Sequence, residues 1–136
     1  MKTLIAFLLM SSSFAGLTGK WSAGGFFDYN NRSGECKEIF MQIKQTDKKL
    51  YILDGGYICS DIQASYPPSS FNIVDGALYY FGEKVGEVTE NEINLNYENG
   101  VYGLSLKKIG TELIYKESWD DGEDYLLIEG KLNLLL

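Results

Sequence analysis

The stretch INLNYENGVYGLSLKKIGTELIYKESWDDGEDYLLIEGKLNL, from Ile93 to Leu134, carries three short turn signals between runs in which apolar and polar residues alternate. Asn99-Gly100 is the clearest of them, because both residues tolerate the positive φ angles of a type I′ hairpin, whose twist matches that of the flanking strands. Folding about it sets Tyr97 against Tyr102, Leu95 against Leu104 and Ile93 against Leu106, so every facing pair is apolar. The alternate positions, Asn94, Asn96, Gly103, Ser105 and Lys107, are polar or small, the period-2 signature of a sheet wet on one side. A turn at Gly110-Thr111 extends the ladder to Leu106 with Tyr115 and Tyr102 with Trp119. A third, at Asp121-Gly122, sets Tyr115 against Ile128 and Glu117 against Leu126. Four strands in one register predict an all-β chain, an antiparallel up-and-down meander closed into a barrel of about 8–10 strands.

The remainder of the chain fits that plan. A first long strand passes through Phe26, Phe27 and Tyr29, with Gly24-Gly25 as a bend or bulge, and Asn30 to Gly34 has turn chemistry. Asp47-Lys48 joins strands Glu35 to Gln45 and Leu50 to Ser60, which puts Cys36 directly opposite Cys59. A bulge at Gly55-Gly56 would offset that pair by one residue. Asp61 to Ser70 is the longest irregular stretch and holds both prolines, Pro67 and Pro68; it is expected to lie over one barrel mouth, with Tyr66 on the rim. Asp75-Gly76 and Gly82-Glu83 are read as the turns flanking strand Ala77 to Phe81. From Phe71 to Thr89 both faces are apolar, Phe71, Ile73, Leu78 and Tyr80 on one and Val74, Tyr79 and Phe81 on the other, so the pattern leaves the inner face open.

Met1 to Ala15 reads as a secretory signal peptide: Lys2, an apolar run from Leu4 to Met10, then small residues at Ser13 and Ala15. Cleavage after Ala15 leaves a single domain, residues 16–136, with no membrane span, in a secreted or periplasmic location. An oxidised Cys36–Cys59 pair is the default in such a compartment. The mature chain keeps 11 of the 12 basic residues and all 19 acidic ones, a formal charge of −8. That surface repels phosphate backbones and anionic lipid, so nucleic acid is disfavoured as a partner and a cationic protein is allowed.

The sequence contains no histidine, which removes Ser-His-Asp and Cys-His nucleophilic machinery and the commonest transition-metal ligand. No catalytic constellation, phosphate-cradling motif or cofactor signature is present, and the chain is read as non-catalytic, with no cofactor and no metal. Asp120-Asp121-Gly122-Glu123-Asp124 gathers four carboxylates but lacks the spacing of an EF-hand, and is read as a solvated turn. The register sends the Glu117 carboxylate to the apolar face, where burial would raise its pKa; it is read first as structural or turned outward by a local bulge, then as a polar anchor for a ligand, and last as an acid-base group. Tyr97, Tyr102, Tyr115, Glu117 and Trp119 are the candidate interior, ligand-lining residues. Gly86 and Gly130, also expected inward, would leave space. The functional expectation is a barrel that binds a small, mostly apolar ligand. The alternative is a protein-binding or inhibitor barrel that turns its acidic surface to a cationic extracytoplasmic partner.

Leu17-Thr18-Gly19-Lys20-Trp21, just after the signal peptide, resembles the Gly-x-Trp opening of the calycin group, the lipocalins and avidins. The resemblance implies an up-and-down barrel in which Trp21 plugs one end. The residues after Trp21, Ser22 to Gly25, do not carry the biotin-contacting pattern of avidins, so biotin is not implied.

Overall fold

Eleven strands and one 3-10 turn make up the regular structure of residues 16–136, the part of the chain that the computed structural model describes. The signal peptide read from residues 1–15 lies outside the described residues. The strands are β1 (Gly19–Tyr29), β2 (Arg32–Gln45), β3 (Lys49–Cys59), β4 (Gln63–Ser65), β5 (Ser69–Val74), β6 (Ala77–Tyr80), β7 (Glu83–Val88), β8 (Glu92–Tyr97), β9 (Tyr102–Ile109), β10 (Glu112–Asp120) and β11 (Tyr125–Leu135). With β4 set aside, each pairs antiparallel with its neighbours in sequence, and β1 pairs with both β2 and β11, closing a ten-stranded up-and-down barrel. The short β4 stands outside that round, paired to Gly56–Ile58 of β3, while β5 takes Lys49–Ile52 of the same strand.

The expected register holds through β8, β9 and β10: Tyr97 faces Tyr102, Leu95 faces Leu104, Tyr115 faces Leu106 and Trp119 faces Tyr102. Asn99 and Gly100 form the turn with φ of 55° and 93°, and the Glu98 carbonyl accepts the Val101 N–H at 3.2 Å. The next hairpin departs from expectation by two residues, with Glu117 against Ile128 and Tyr115 against Gly130. The cause is local: the Asp121 carboxylate accepts the N–H groups of Glu123 (2.9 Å) and Asp124 (2.8 Å), an Asx-type turn that lengthens the loop. A slip of two leaves every side chain on its predicted face. The β6–β7 turn also moves by one, to Phe81-Gly82, so Phe81 leaves the strand and takes φ of 50°. Of the two faces left open by the pattern, Phe71 and Leu78 are buried while Tyr80, expected on the same face, is exposed along with Val74 and Phe81.

Cys36 faces Cys59 and is bonded to it. The ladder between β2 and β3 is not regular, however. Leu53 is extra on β3 and Lys37 is extra on β2, and the two bulges cancel, so the register at the cysteines is the one that an unbroken ladder would give. The expected irregularity in β1 is present, a shift between Ala23 and Gly25.

Gly86 and Gly130 leave no room inside. A Cβ on Gly86 would fall 1.9 Å from the Asn94 carbonyl oxygen, and one on Gly130 would fall 2.8 Å from Ile39 Cδ1. The first marks close approach of β7 to β8, and the second a space already filled by Ile39. One end of the barrel is sealed by residues 17–21: Trp21, 2 % exposed, donates its indole N–H to the Leu17 carbonyl at 2.9 Å. Gln45 fixes Leu17 by accepting its N–H at 3.1 Å and reaches the Thr89 carbonyl at 3.2 Å.

The disulfide closes a loop of 23 residues' separation. Chain entropy gives such a link about 3 kcal/mol. Replacing Cys36 by Ser is therefore expected to lower the melting temperature by roughly 10 °C without reductant and to have little effect in its presence. Differential scanning calorimetry under both conditions checks this, and equal melting without reductant would contradict it.

Candidate functional site

Glu117 lies on β10 with its carboxyl inside the barrel, 4 % exposed, among Leu104, Ile128 and Tyr115. Burying a carboxyl among apolar side chains is costly unless donors surround it. Here they are tyrosines. Tyr102, on β9, donates to Glu117 Oε2 at 2.7 Å. Tyr66 donates to the same oxygen, and its hydroxyl also bonds that of Tyr115. Each phenol has one proton, so the pattern has one direction: Tyr66 and Tyr102 give theirs to the carboxylate, and Tyr115 gives its own to the Tyr66 oxygen.

The wall of the barrel supplies Glu117, Tyr102 and Tyr115, but Tyr66 comes from outside it. Tyr66 follows the short β4 and is held by its own N–H to the Gly55 carbonyl at 2.7 Å. From there its ring turns inward. Gly55 makes this geometry available, because a Cβ at that position would stand 2.7 Å from both the Tyr66 ring and the Met41 sulfur. Tyr66 was expected on the rim; its backbone is there, but its hydroxyl reaches the centre of the polar cluster. Tyr57, buried on β3, was not foreseen near the site. The signal for both was Gly55-Gly56, two side-chain-free positions within a strand, which mark a close approach by another group.

Burial pushes the Glu117 carboxyl up from its ordinary range, and the hydrogen bonds from Tyr102 and Tyr66 work against that rise. Burial, with the Glu117 charge as a second cause, holds Tyr57 up at about 12. Tyr66 and Tyr115 lie well above the usual tyrosine value, chiefly through burial, and Tyr102 moves in the same direction for the same reason. At neutral pH the cluster is thus an array of protonated phenols around one carboxyl, which offers hydrogen-bond donors and no phenolate nucleophile.

Of the other candidate residues, Tyr97 lies half-buried toward the mouth with its ring centroid 5.8 Å from that of Tyr102. Trp119 pairs with Tyr102 two residues along β10 from Glu117 and is half-buried, with no hydrogen bond to the carboxyl. Between the Tyr66-Pro67 segment and the Tyr97–Tyr102 pair is a cleft of about 130 Å³, floored by Ile52, Phe71, Leu95 and Leu104. That is close to the ~150 Å³ known to admit benzene in an apolar cavity. The sequence-predicted interior is therefore divided: Tyr115 and Glu117 belong to the polar cluster, Tyr102 to both cluster and cleft, Tyr97 to the cleft, and Trp119, expected as a lining residue, to neither.

No protein family, curated protein or solved structure matches this chain. The ten-stranded meander is compatible with a calycin-like barrel, and the chemistry of the site is read from its own residues. Because the carboxyl of Glu117 is raised in the folded state, the unfolded chain releases that proton first as pH rises. The stability that the protonated group provides is full below the ordinary carboxylate range and is lost through the raised pKa. Glu117→Gln does not titrate, so its melting temperature is expected to gain on the wild type as pH rises from 4 to 8. Parallel melting curves for the two proteins across that range would contradict this.

Proposed function

We propose that this is an exported, calycin-like barrel that binds a small, mostly apolar molecule without transforming it. The observation that carries the reading is the cleft lined by Ile52, Phe71, Leu95 and Leu104 and bordered by Tyr66 and Tyr102, whose hydroxyls both donate to the buried Glu117 behind them. Small-molecule sites have this composition, with apolar contact supplying affinity and a few placed donors or acceptors supplying orientation. A buried carboxyl is an expensive group to keep for packing alone, since a leucine would fill the same position at lower cost. The absence of histidine from the sequence and the protonated state of the tyrosines favour binding over catalysis.

A second reading is favoured by one side chain. Phe81 is 89 % exposed at the tip of the β6–β7 hairpin and takes a left-handed backbone conformation that is unusual for a bulky residue. With a charge of −8 on the mature chain, such a tip would suit a cationic protein partner.

Native mass spectrometry of the mature protein from its own source separates the two. The ligand reading expects a mass excess that disappears on denaturation. A bare mass, together with salt-sensitive capture of a basic protein that Phe81→Gly abolishes, would replace it with the second reading.

A further inference from the structure

We infer that the ligand is a phenol, or an aromatic compound with an equivalent neutral hydroxyl, and that it binds by exchanging with the Tyr66 side chain at Glu117. The inference rests on the small-molecule reading above and names its chemical class.

Tyr66 is the one member of the cluster not carried by the barrel wall. Its strap consists of the three-residue β4, all of whose residues are exposed, followed by Pro67-Pro68. Lifting the strap breaks the three β3–β4 pairs and the Tyr66 N–H bond to Gly55, withdraws the ring from the core, and takes the Tyr66 hydroxyl off Glu117 and Tyr115, where a ligand hydroxyl would take its place. The two prolines restrict the backbone next to Tyr66, so the strap is stiff and its motion carries the ring as a unit. What it uncovers is a complete binding site. Glu117 and Tyr115 lose the partner that Tyr66 gave them, and Tyr102 remains on the carboxyl. The space left by the ring opens onto the existing cleft, because Tyr66 forms part of the lining of that cleft.

The uncovered groups specify the ligand's polar end. They require one hydroxyl that donates to Glu117 and accepts from Tyr115, which is the pattern Tyr66 itself satisfies. A carboxylate or phosphate ligand would meet Glu117 as a like charge in a dry site. A hydrocarbon would leave both groups unpaired, at the full cost of their desolvation. An ammonium could donate but has no lone pair for Tyr115. The apolar floor of Ile52, Phe71, Leu95 and Leu104 then receives the ring and a short substituent. The folded chain thus carries its own phenol as a competitor, and the affinity for an external one is reduced by the fraction of time the strap is closed.

Isothermal titration calorimetry with 4-ethylphenol and with ethylbenzene tests this on the wild type and on Tyr66→Ala. Saturable binding of 4-ethylphenol to the wild type is expected, at least about tenfold tighter than ethylbenzene. Removing the internal competitor in Tyr66→Ala is expected to tighten 4-ethylphenol about tenfold further and to keep the preference for the hydroxyl. Equal affinity of the two compounds for the wild type would overturn the ligand class and leave the broader reading standing. Binding of 4-ethylphenol to Tyr66→Ala alone would show Tyr66 to be a permanent plug, and would overturn the inference. No binding of either compound to either protein removes both the inference and the ligand reading at this cleft. Should Tyr66→Ala not fold, the wild-type comparison decides by itself.

Discussion

A carboxyl group enclosed by apolar side chains has to be given donors, and the arrangement around Glu117 follows from that requirement. Two phenols converge on one carboxylate oxygen and a third completes the chain behind them. Because the cluster is away from water, each bond is stronger electrostatically than at the surface, and each missing partner costs more. The surrounding structure supplies what the cluster needs. β9 and β10 hold Tyr102, Tyr115 and Glu117 in one ladder, Gly55 omits a side chain so that a ring can pass, and β4 brings Tyr66 over the mouth.

The two ends of the barrel are closed by different means. At the end where β1 begins, the buried side chains of Leu17 and Trp21 form a plug, held by hydrogen bonds to the backbone and to the half-buried Gln45. At the other end a strap contributes a single tyrosine; its backbone is retained at an exposed edge, and its hydroxyl by the buried pair Glu117 and Tyr115. Local opening free energies follow such differences, since segments with few buried apolar contacts open first. The plugged end therefore suits a permanent closure, and the strapped end suits exchange with a ligand.

Legibility in the sequence followed the range of the interactions. The meander and the Asn99-Gly100 and Gly110-Thr111 registers could be read because turn chemistry and period-2 alternation are local, and a closed ladder has few alternatives once they agree. Cys36 and Cys59 were placed opposite each other by the same logic, although the real ladder reaches that pairing through two bulges that no local signal announced. The Asp121 turn was misread because its carboxylate, and not Gly122, sets the loop length. Alternation placed Glu117 on the inward face but left open a bulge that would turn it outward. Its partner Tyr66 was not legible, because a loop side chain entering a barrel is a tertiary event, fixed by the space at Gly55 and by the need of a distant carboxyl. Gly86 and Gly130 were read as room for a ligand, but a missing side chain can equally record a neighbour that has already arrived.

The coupling between Tyr66 and Glu117 is the claim on which the account of the mouth and of its ligand depends. A double-mutant cycle at pH 7, using Tyr66→Phe, Glu117→Leu and the combined variant in urea unfolding, measures it without reference to whether the buried carboxyl is itself stabilising. The account predicts a coupling free energy of about 1–3 kcal/mol, the range for a hydrogen bond to a charged or buried acceptor. Additivity of the two substitutions within about 0.5 kcal/mol would contradict it, and would leave Tyr66 with no energetic tie to the barrel interior.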